Sequence, residues 1–251
     1  MHTVITKLRQ AGCVFAEDEA RLLTEAARTP AELDDLVARR VAGLPLEHLL
    51  GWAEFHGRRI TVDPGVFVPR RRTEFLVDQA AAIGGHVVLD LCCGTGAVGV
   101  ALAAELGETE LYAADLDPAA VRCARRNVEP AGGEVFEGDL FAPLPAHLRG
   151  RIDLLVVNAP YVPTDAIAMM PPEARDHEPR VALDGGGDGV DVHRRVTASA
   201  AAWLAPGGHL LIETGEAQAP VTAAAFTAGG LVPHVAHNED VGGTVVVGAL
   251  R

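Results

Sequence analysis

Between Asp90 and Gly99 the chain reads DLCCGTGAVG, an acid followed by Cys92, Cys93, Gly94, Thr95 and Gly96 and then, three residues on, Gly99. Glycines at this spacing admit left-handed backbone and let a ligand lie close to the main chain, while the helix start behind them offers unpaired N–H groups. Taken alone, Gly-x-Gly-x-x-Gly suits a dinucleotide or another nucleoside ligand, or closes a strand-to-helix turn with no ligand. Asp115 narrows the field. It ends an apolar run about twenty residues after the glycines, where a carboxylate accepts hydrogen bonds from two ribose hydroxyls. Asp117, directly before Pro118, fits a helix N-cap better, which leaves Asp115 for the ligand. Adenosine is common to both motifs, and nicotinamide or another cofactor stays open on this ground. A third constellation, Asn158-Ala159-Pro160-Tyr161, closes the apolar run 152–157.

These residues need elements to position them. From Thr73 onward, apolar runs at 86–91, 110–115, 135–137, 152–158, 209–213, 231–235 and 244–249 alternate with helix-like stretches, notably 73–83, 98–105 and 118–127. Strand, helix, strand, helix predicts a doubly wound, mostly parallel α/β sheet with helices on both faces. The first part of the chain reads differently. Ala20, Leu22, Leu23 and Ala26 have helical spacing. Thr29-Pro30-Ala31-Glu32 is a capping-box start for a helix carrying Leu33, Leu36, Val37 and Val41 on one stripe and stopping at Gly43. Residues 52–55 and 59–62 flank His56-Gly57 as a hairpin would. The expected organisation is a small N-terminal helical domain over 1–50, a β-hairpin and linker over 51–72, and a ligand-binding domain over 73–251.

Composition bounds what such a protein does. With 49% hydrophobic and 22% charged residues in 251, the chain has the material for an α/β domain plus a small accessory one, and is neither disordered nor fibrous. The net charge of −13 makes nucleic acid an improbable partner, and 4% aromatic residues leave few rings to stack on bases. Cys13, Cys92, Cys93 and Cys123 show neither zinc-site spacing nor a secreted disulfide framework. No signal-peptide core or membrane-spanning run stands out, so a soluble, cytoplasmic protein with no membrane partner is expected. Oligomeric state is not legible.

The Asn158–Tyr161 turn carries a resemblance. It is similar to the Asn/Asp-Pro-Pro-Tyr/Phe turn of class I S-adenosylmethionine-dependent methyltransferases that act on planar nitrogens, and most similar to the HemK-type release-factor glutamine methyltransferases. The likeness covers almost the whole chain. It takes in Gly43-Leu44-Pro45, Phe55-His56-Gly57, Val68-Pro69-Arg70, Thr73-Glu74, Asp90 to Gly96, Asp115 and Asn127. It continues through Gly138-Asp139, Asn158 to Tyr161, Glu178-Pro179-Arg180, Ala182 to Gly186, Asp188-Gly189, Pro206-Gly207-Gly208 and Glu213. The resemblance implies a seven-stranded Rossmann-like sheet, and S-adenosylmethionine as cofactor with S-adenosylhomocysteine as product. It implies cofactor contacts at Asp90, Cys92, Cys93, Gly94, Thr95, Gly96, Asp115, Asp139, Leu140 and Asn158. Asn158, Ala159, Pro160 and Tyr161 would bind the substrate, with Asn158, Pro160 and Tyr161 catalytic. The implied reaction is methylation of a glutamine side-chain amide in a protein such as a translation release factor, docked by the helical domain.

The chemistry of that turn can be argued without the family. A carboxamide or exocyclic base nitrogen is conjugated and a poor nucleophile, so the cofactor carries the electrophile and the protein must aim the nitrogen. Both N–H groups need acceptors as positive charge develops; an Asn side-chain oxygen and the next carbonyl supply two. Pro160 stiffens the turn and Tyr161 offers a ring to a flat group. An ordinary Asn-Pro turn is the bland alternative.

The sequence also departs from the family. Ala159 replaces the first proline, Arg71 and Arg72 replace a proline and an acid, and Cys92-Cys93 stands where glycine and small residues are usual. The small domain is short, and an arginine common after Gly242-Gly243 is missing. A small-molecule or adenine-amine acceptor is the alternative reading. A nicotinamide dehydrogenase or a non-catalytic binding module is a more distant one, and for a dehydrogenase no proton-transferring residue can be nominated. Asp184, Asp188 and Asp191 miss calcium-loop spacing, so no metal is expected and their glycine-rich loop reads as flexible, a candidate lid. Arg70 to Arg72 suit an acidic or RNA-bearing partner but read rather as a solvated charge run, His177 as an exposed loop residue, and the paired cysteines as small residues packed in a turn.

Overall fold

The computed structural model describes residues 1–250. Four helices come first: α1 (His2–Gln10), α2 (Ala16–Ala26), α3 (Pro30–Val41) and α4 (Leu46–Leu50). They bury Leu8, Ala16, Ala20, Leu23, Leu36 and Val37 against one another. The Thr29 hydroxyl accepts the Glu32 N–H as the capping box requires. The Glu32 carboxylate, however, reaches back to the N–H of Arg28, one residue beyond the cap. Helix α1 was not legible because only Val4 and Leu8 of its nine residues are buried, too few to set a period.

Strands β1 (Trp52–Phe55) and β2 (Arg58–Thr61) pair antiparallel around His56-Gly57 as the alternation predicted. Then follow α5 (Glu74–Ile83), β3 (Val87–Leu91), α6 (Ala97–Leu106), β4 (Glu110–Asp115), α7 (Pro118–Val128), β5 (Glu134–Glu137) and β6 (Ile152–Val157). The remainder is α8 (Pro172–His177), α9 (Asp191–Ala200), β7 (Leu204–Glu213), α10 (Ala219–Ala228), β8 (Leu231–Asn238) and β9 (Gly243–Leu250). The large sheet has seven strands in the order β5-β4-β3-β6-β7-β9-β8. Its first five members run parallel, and β9 is antiparallel to both neighbours. The doubly wound expectation is met.

Period-2 alternation splits the strands between two cores. Val88, Leu111, Leu154 and Val156 face α5, α6 and α7, whereas Val87, Leu89, Tyr112, Leu155 and Val157 face the α9 and α10 side. Both faces are covered, which is why the parallel strands read as unbroken apolar runs. The chain winds outward from β3 to β5, then crosses back to β6. The point of reversal lies between β3 and β6, and in such sheets ligands lodge beyond the carboxyl ends of the strands there.

Candidate active site

Leu91 pairs with Val157, so Cys92 and Asn158 leave adjacent strand ends side by side. On the other flank Leu91 pairs with Ala114, and the Cys93 N–H donates to the Ala114 carbonyl (3.1 Å), bringing the glycine turn against Asp115. A cavity of about 550 Å³ opens over these ends. It is lined by every residue that the sequence nominated for cofactor or acceptor except Gly96.

Gly96 has a different task. At φ +77° it caps α6, and a Cβ there would fall 2.5 Å from Val128 Cγ2, so it seats α7 against the turn. Gly94 (φ +56°) has no protein atom within 4 Å of where its Cβ would be. It is the glycine that leaves room for a ligand. Its N–H donates to Asp115 Oδ2 (2.8 Å), and the Asp117 N–H donates to Asp115 Oδ1 (2.9 Å). Asp115 is thus not wholly free, as the sequence suggested; it braces the turn while each oxygen keeps a further acceptor site. Burial pushes its carboxyl above the usual range, and the two backbone N–H groups oppose this. Asp117 caps α7 through the Ala119 N–H as expected.

Asp90, 2% exposed, accepts the Gly99 N–H (2.9 Å) and is pushed up to about 8 by burial. A buried acid with one hydrogen bond is what a cationic ligand pairs with. The open cradle at Gly94, the carboxylate at Asp115 and the uncompensated acid at Asp90 together fit a nucleoside that carries a sulfonium and an ammonium. Cys92 adopts φ +58°, and burial raises both neighbouring thiols, the environment of packed rather than reactive cysteines. Asp139 and Leu140 border the cavity, but Asp139 Oδ2 also accepts from Arg195 Nη2 (2.6 Å) of α9, a partner no local pattern announced.

On the acceptor side, Asn158 Nδ2 donates to the buried Thr73 Oγ1 (3.3 Å). Its Oδ1 has no partner among the described residues. Ala159 is buried, and the Tyr161 hydroxyl donates to Glu213 Oε1 (3.1 Å) at the end of β7. Burial and that carboxylate push the phenol upward, so Tyr161 is neutral at physiological pH. The loop read from the sequence as flexible packs closely against the Asn158 turn. A Cβ on Gly185 would lie 2.7 Å from Tyr161 Cα, and one on Gly189 would lie 2.3 Å from the Tyr161 carbonyl oxygen. Asp184 accepts from Thr164 Oγ1 (2.6 Å), the Gly186 N–H and Arg180 Nε. Its glycines permit close packing against the Asn158 turn.

The arginine run is corrected as well. Arg70 Nη2 donates to both oxygens of the buried Glu178 (2.7 Å each), and Arg72 Nε donates to Glu213 Oε1 (3.3 Å) with its guanidinium 5.9 Å from the Tyr161 ring centre. Thr73, Arg72 and Glu213 are site residues to which the sequence assigned no role. The strand-end position of Glu213 was the available signal, since acids at carboxyl ends of parallel strands face the ligand crevice.

Comparison with known proteins agrees with this geometry. Residues 57–173 match the family described as methyltransferase small domain. The chain is 42% identical over 196 residues to the release factor glutamine methyltransferase of Geobacter sulfurreducens, covering 76% of this chain and 68% of that protein. It is 36% identical over 218 residues to the 4-amino-L-phenylalanine/4-methylamino-L-phenylalanine methyltransferase of Streptomyces pristinaespiralis, covering 83% and 74%. The crystal structure of a methyltransferase from Pyrococcus furiosus matches with a TM-score of 0.59 at 17% identity, over 86% of this chain and 98% of that one, which shows a common fold. A switch-point cleft that gathers the glycine turn, Asp115 and the Asn158–Tyr161 turn, and relatives of this identity, lead to one assignment: the chain belongs to the release factor glutamine methyltransferase family of S-adenosylmethionine-dependent enzymes.

Proposed function

We propose that the acceptor is the side-chain amide nitrogen of a glutamine in a release factor, as the names of most of the similar proteins suggest for them. S-adenosylmethionine, when bound, supplies an electrophilic methyl group and leaves as S-adenosylhomocysteine. Asn158 Oδ1 and the Ala159 carbonyl take the two amide hydrogens and hold the nitrogen lone pair in line, with Pro160 limiting the swing of the turn. Tyr161 packs on the flat amide. The nitrogen gains a methyl and loses one proton to solvent, so no strong base is required. Asp115 would hold the ribose, Gly94 would leave room for the cofactor chain, and Asp139 with Leu140 would border the base. The helices of residues 1–50 dock the protein acceptor, joined to the acceptor side of the cleft through Arg40 Nη1 and Glu173 of α8 (3.1 Å).

The observation that carries this reading is the tether from Thr73 to Asn158 Nδ2, which leaves the carboxamide oxygen as the spare acceptor beside the cleft. Asn158→Ala should slow methyl transfer to a purified release factor by about 10²-fold or more, read by intact mass, a loss larger than any fall in S-adenosylhomocysteine affinity. Transfer at the native rate would refute the role. A free aromatic amine is the second reading, favoured by Ala159, which removes the ring of the usual proline beside the acceptor, and by the Streptomyces relative.

A further inference from the structure

The acceptor half of the cleft gathers arginines that are each paired with a carboxylate, in a chain whose net charge is −13. Arg70, Arg72 and Arg180 all line the cavity. Two of them pair in a one-sided way. The Glu178 and Glu213 side chains are 1% and 2% exposed, while those of Arg70 and Arg72 are 32% and 46% exposed. In both pairs the carboxylate lies behind and the guanidinium in front.

The two arginines then differ. Arg70 Nη2 is committed to both oxygens of Glu178. Arg72 donates to Glu213 through Nε and also neighbours the Tyr161 hydroxyl, but each terminal nitrogen carries two N–H groups, so outer N–H groups remain available over the cleft. Glu213 cannot turn to meet them freely, because its Oε1 is shared with the Tyr161 hydroxyl. Arg72 is therefore a planar fork with its outer prongs open, next in sequence to Thr73, which tethers Asn158.

We propose that Arg72 determines acceptor specificity, its terminal nitrogens receiving a carboxylate that the acceptor carries alongside its planar NH₂ group. The inference rests on the reading of the Asn158 turn as the NH₂ site. A guanidinium with two adjacent free donors matches a carboxylate in bidentate geometry, a stronger match than either a neutral amide or a lysine in the same place provides. Glu213 offsets part of the Arg72 charge, so an acceptor carboxylate gains chiefly the directional N–H bonds of the outer nitrogens. The carboxylate has two possible sources with one chemistry, the α-carboxylate of a free amino acid or an acidic side chain beside a glutamine in a protein.

Matched acceptor pairs test this. One pair is 4-amino-L-phenylalanine and its α-carboxamide; the other is a pair of short peptides with Glu or Ala next to the glutamine. Methyl transfer is read by mass, and binding by calorimetry with S-adenosylhomocysteine present. In at least one pair the carboxylate member should be preferred by about tenfold or more, mostly through KM or Kd. Arg72→Gln should abolish that preference, the readout being the ratio of carboxylate to neutral member rather than either rate alone, while Arg72→Lys keeps part of it. A merely structural role would slow both members equally and leave their ratio unchanged. That result, or equal binding and equal transfer within both pairs by the native enzyme, overturns the proposal. If a release factor is methylated but neither pair shows a preference, the carboxylate site falls and the glutamine reading stands. If the release factor is not methylated, the binding preference still decides the carboxylate site on its own.

Discussion

Asp90 shows how one residue reports on the site. Its carboxyl is pushed up to about 8 in the folded protein, so between the ordinary carboxylate range and about pH 8 the native state holds a proton that the unfolded chain has released. Stability must then fall as pH rises through that window, in contrast to an ion-paired acid. Asp90→Asn removes the ionisation, so melting curves from pH 5 to 8.5 should show native protein losing several degrees relative to the variant as pH rises. A constant difference across the range would contradict the assigned protonation. Thr73 is a positioning residue at the same scale. Thr73→Val frees the Asn158 amide to rotate and should lower kcat about tenfold with the cofactor KM unchanged, while Thr73→Ser restores it. A variant as fast as native would show that the Asn158 orientation is set elsewhere.

At the scale of elements, glycines next to each other in sequence do unlike work. Gly96→Ala drives a Cβ into Val128 of α7 from a left-handed backbone and should cost about 2 kcal/mol or more in chemical denaturation. Gly94→Ala meets no protein atom, so its larger effect should be on S-adenosylhomocysteine affinity rather than folding. Equal stability losses for both would undo the distinction. The repeat of glycines was visible in the sequence, and so was the strand-to-helix turn; which glycine packs against α7 and which faces open space was not. That depends on α7 crossing behind the turn, a contact made by residues about thirty positions away in the chain. The same holds for Gly185 and Gly189, where composition suggested mobility and the fold uses the absent side chains for close approach.

At the scale of the molecule, Arg40 connects the N-terminal helices to the catalytic body. Its side chain is 10% exposed and joins Glu19 of α2 (2.6 and 3.1 Å) to Glu173 of α8. Replacing it with Met leaves Glu19 buried without its cation and should cost about 3 kcal/mol. Limited proteolysis should then cut near residue 45 well before the sheet unfolds; simultaneous loss of both parts would show that the helices do not open separately. Among the described residues no helix is long and apolar enough to cross a membrane.

The order of strands and helices, the glycine turn, Asp115 and the Asn158 turn were all readable from the sequence alone, because periodicity, caps and turn residues act over a few neighbouring positions. The ion pairs of the site were not. Arg70 meets Glu178 across 108 positions and Arg72 meets Glu213 across 141, and as a sequence the three arginines were indistinguishable from a solvated run. Only the reversal of strand order between β3 and β6 brings those segments to one cleft. Burial there converts surface-type charges into fixed donors and acceptors, since a desolvated carboxylate must find a partner and thereby fixes where the guanidinium points.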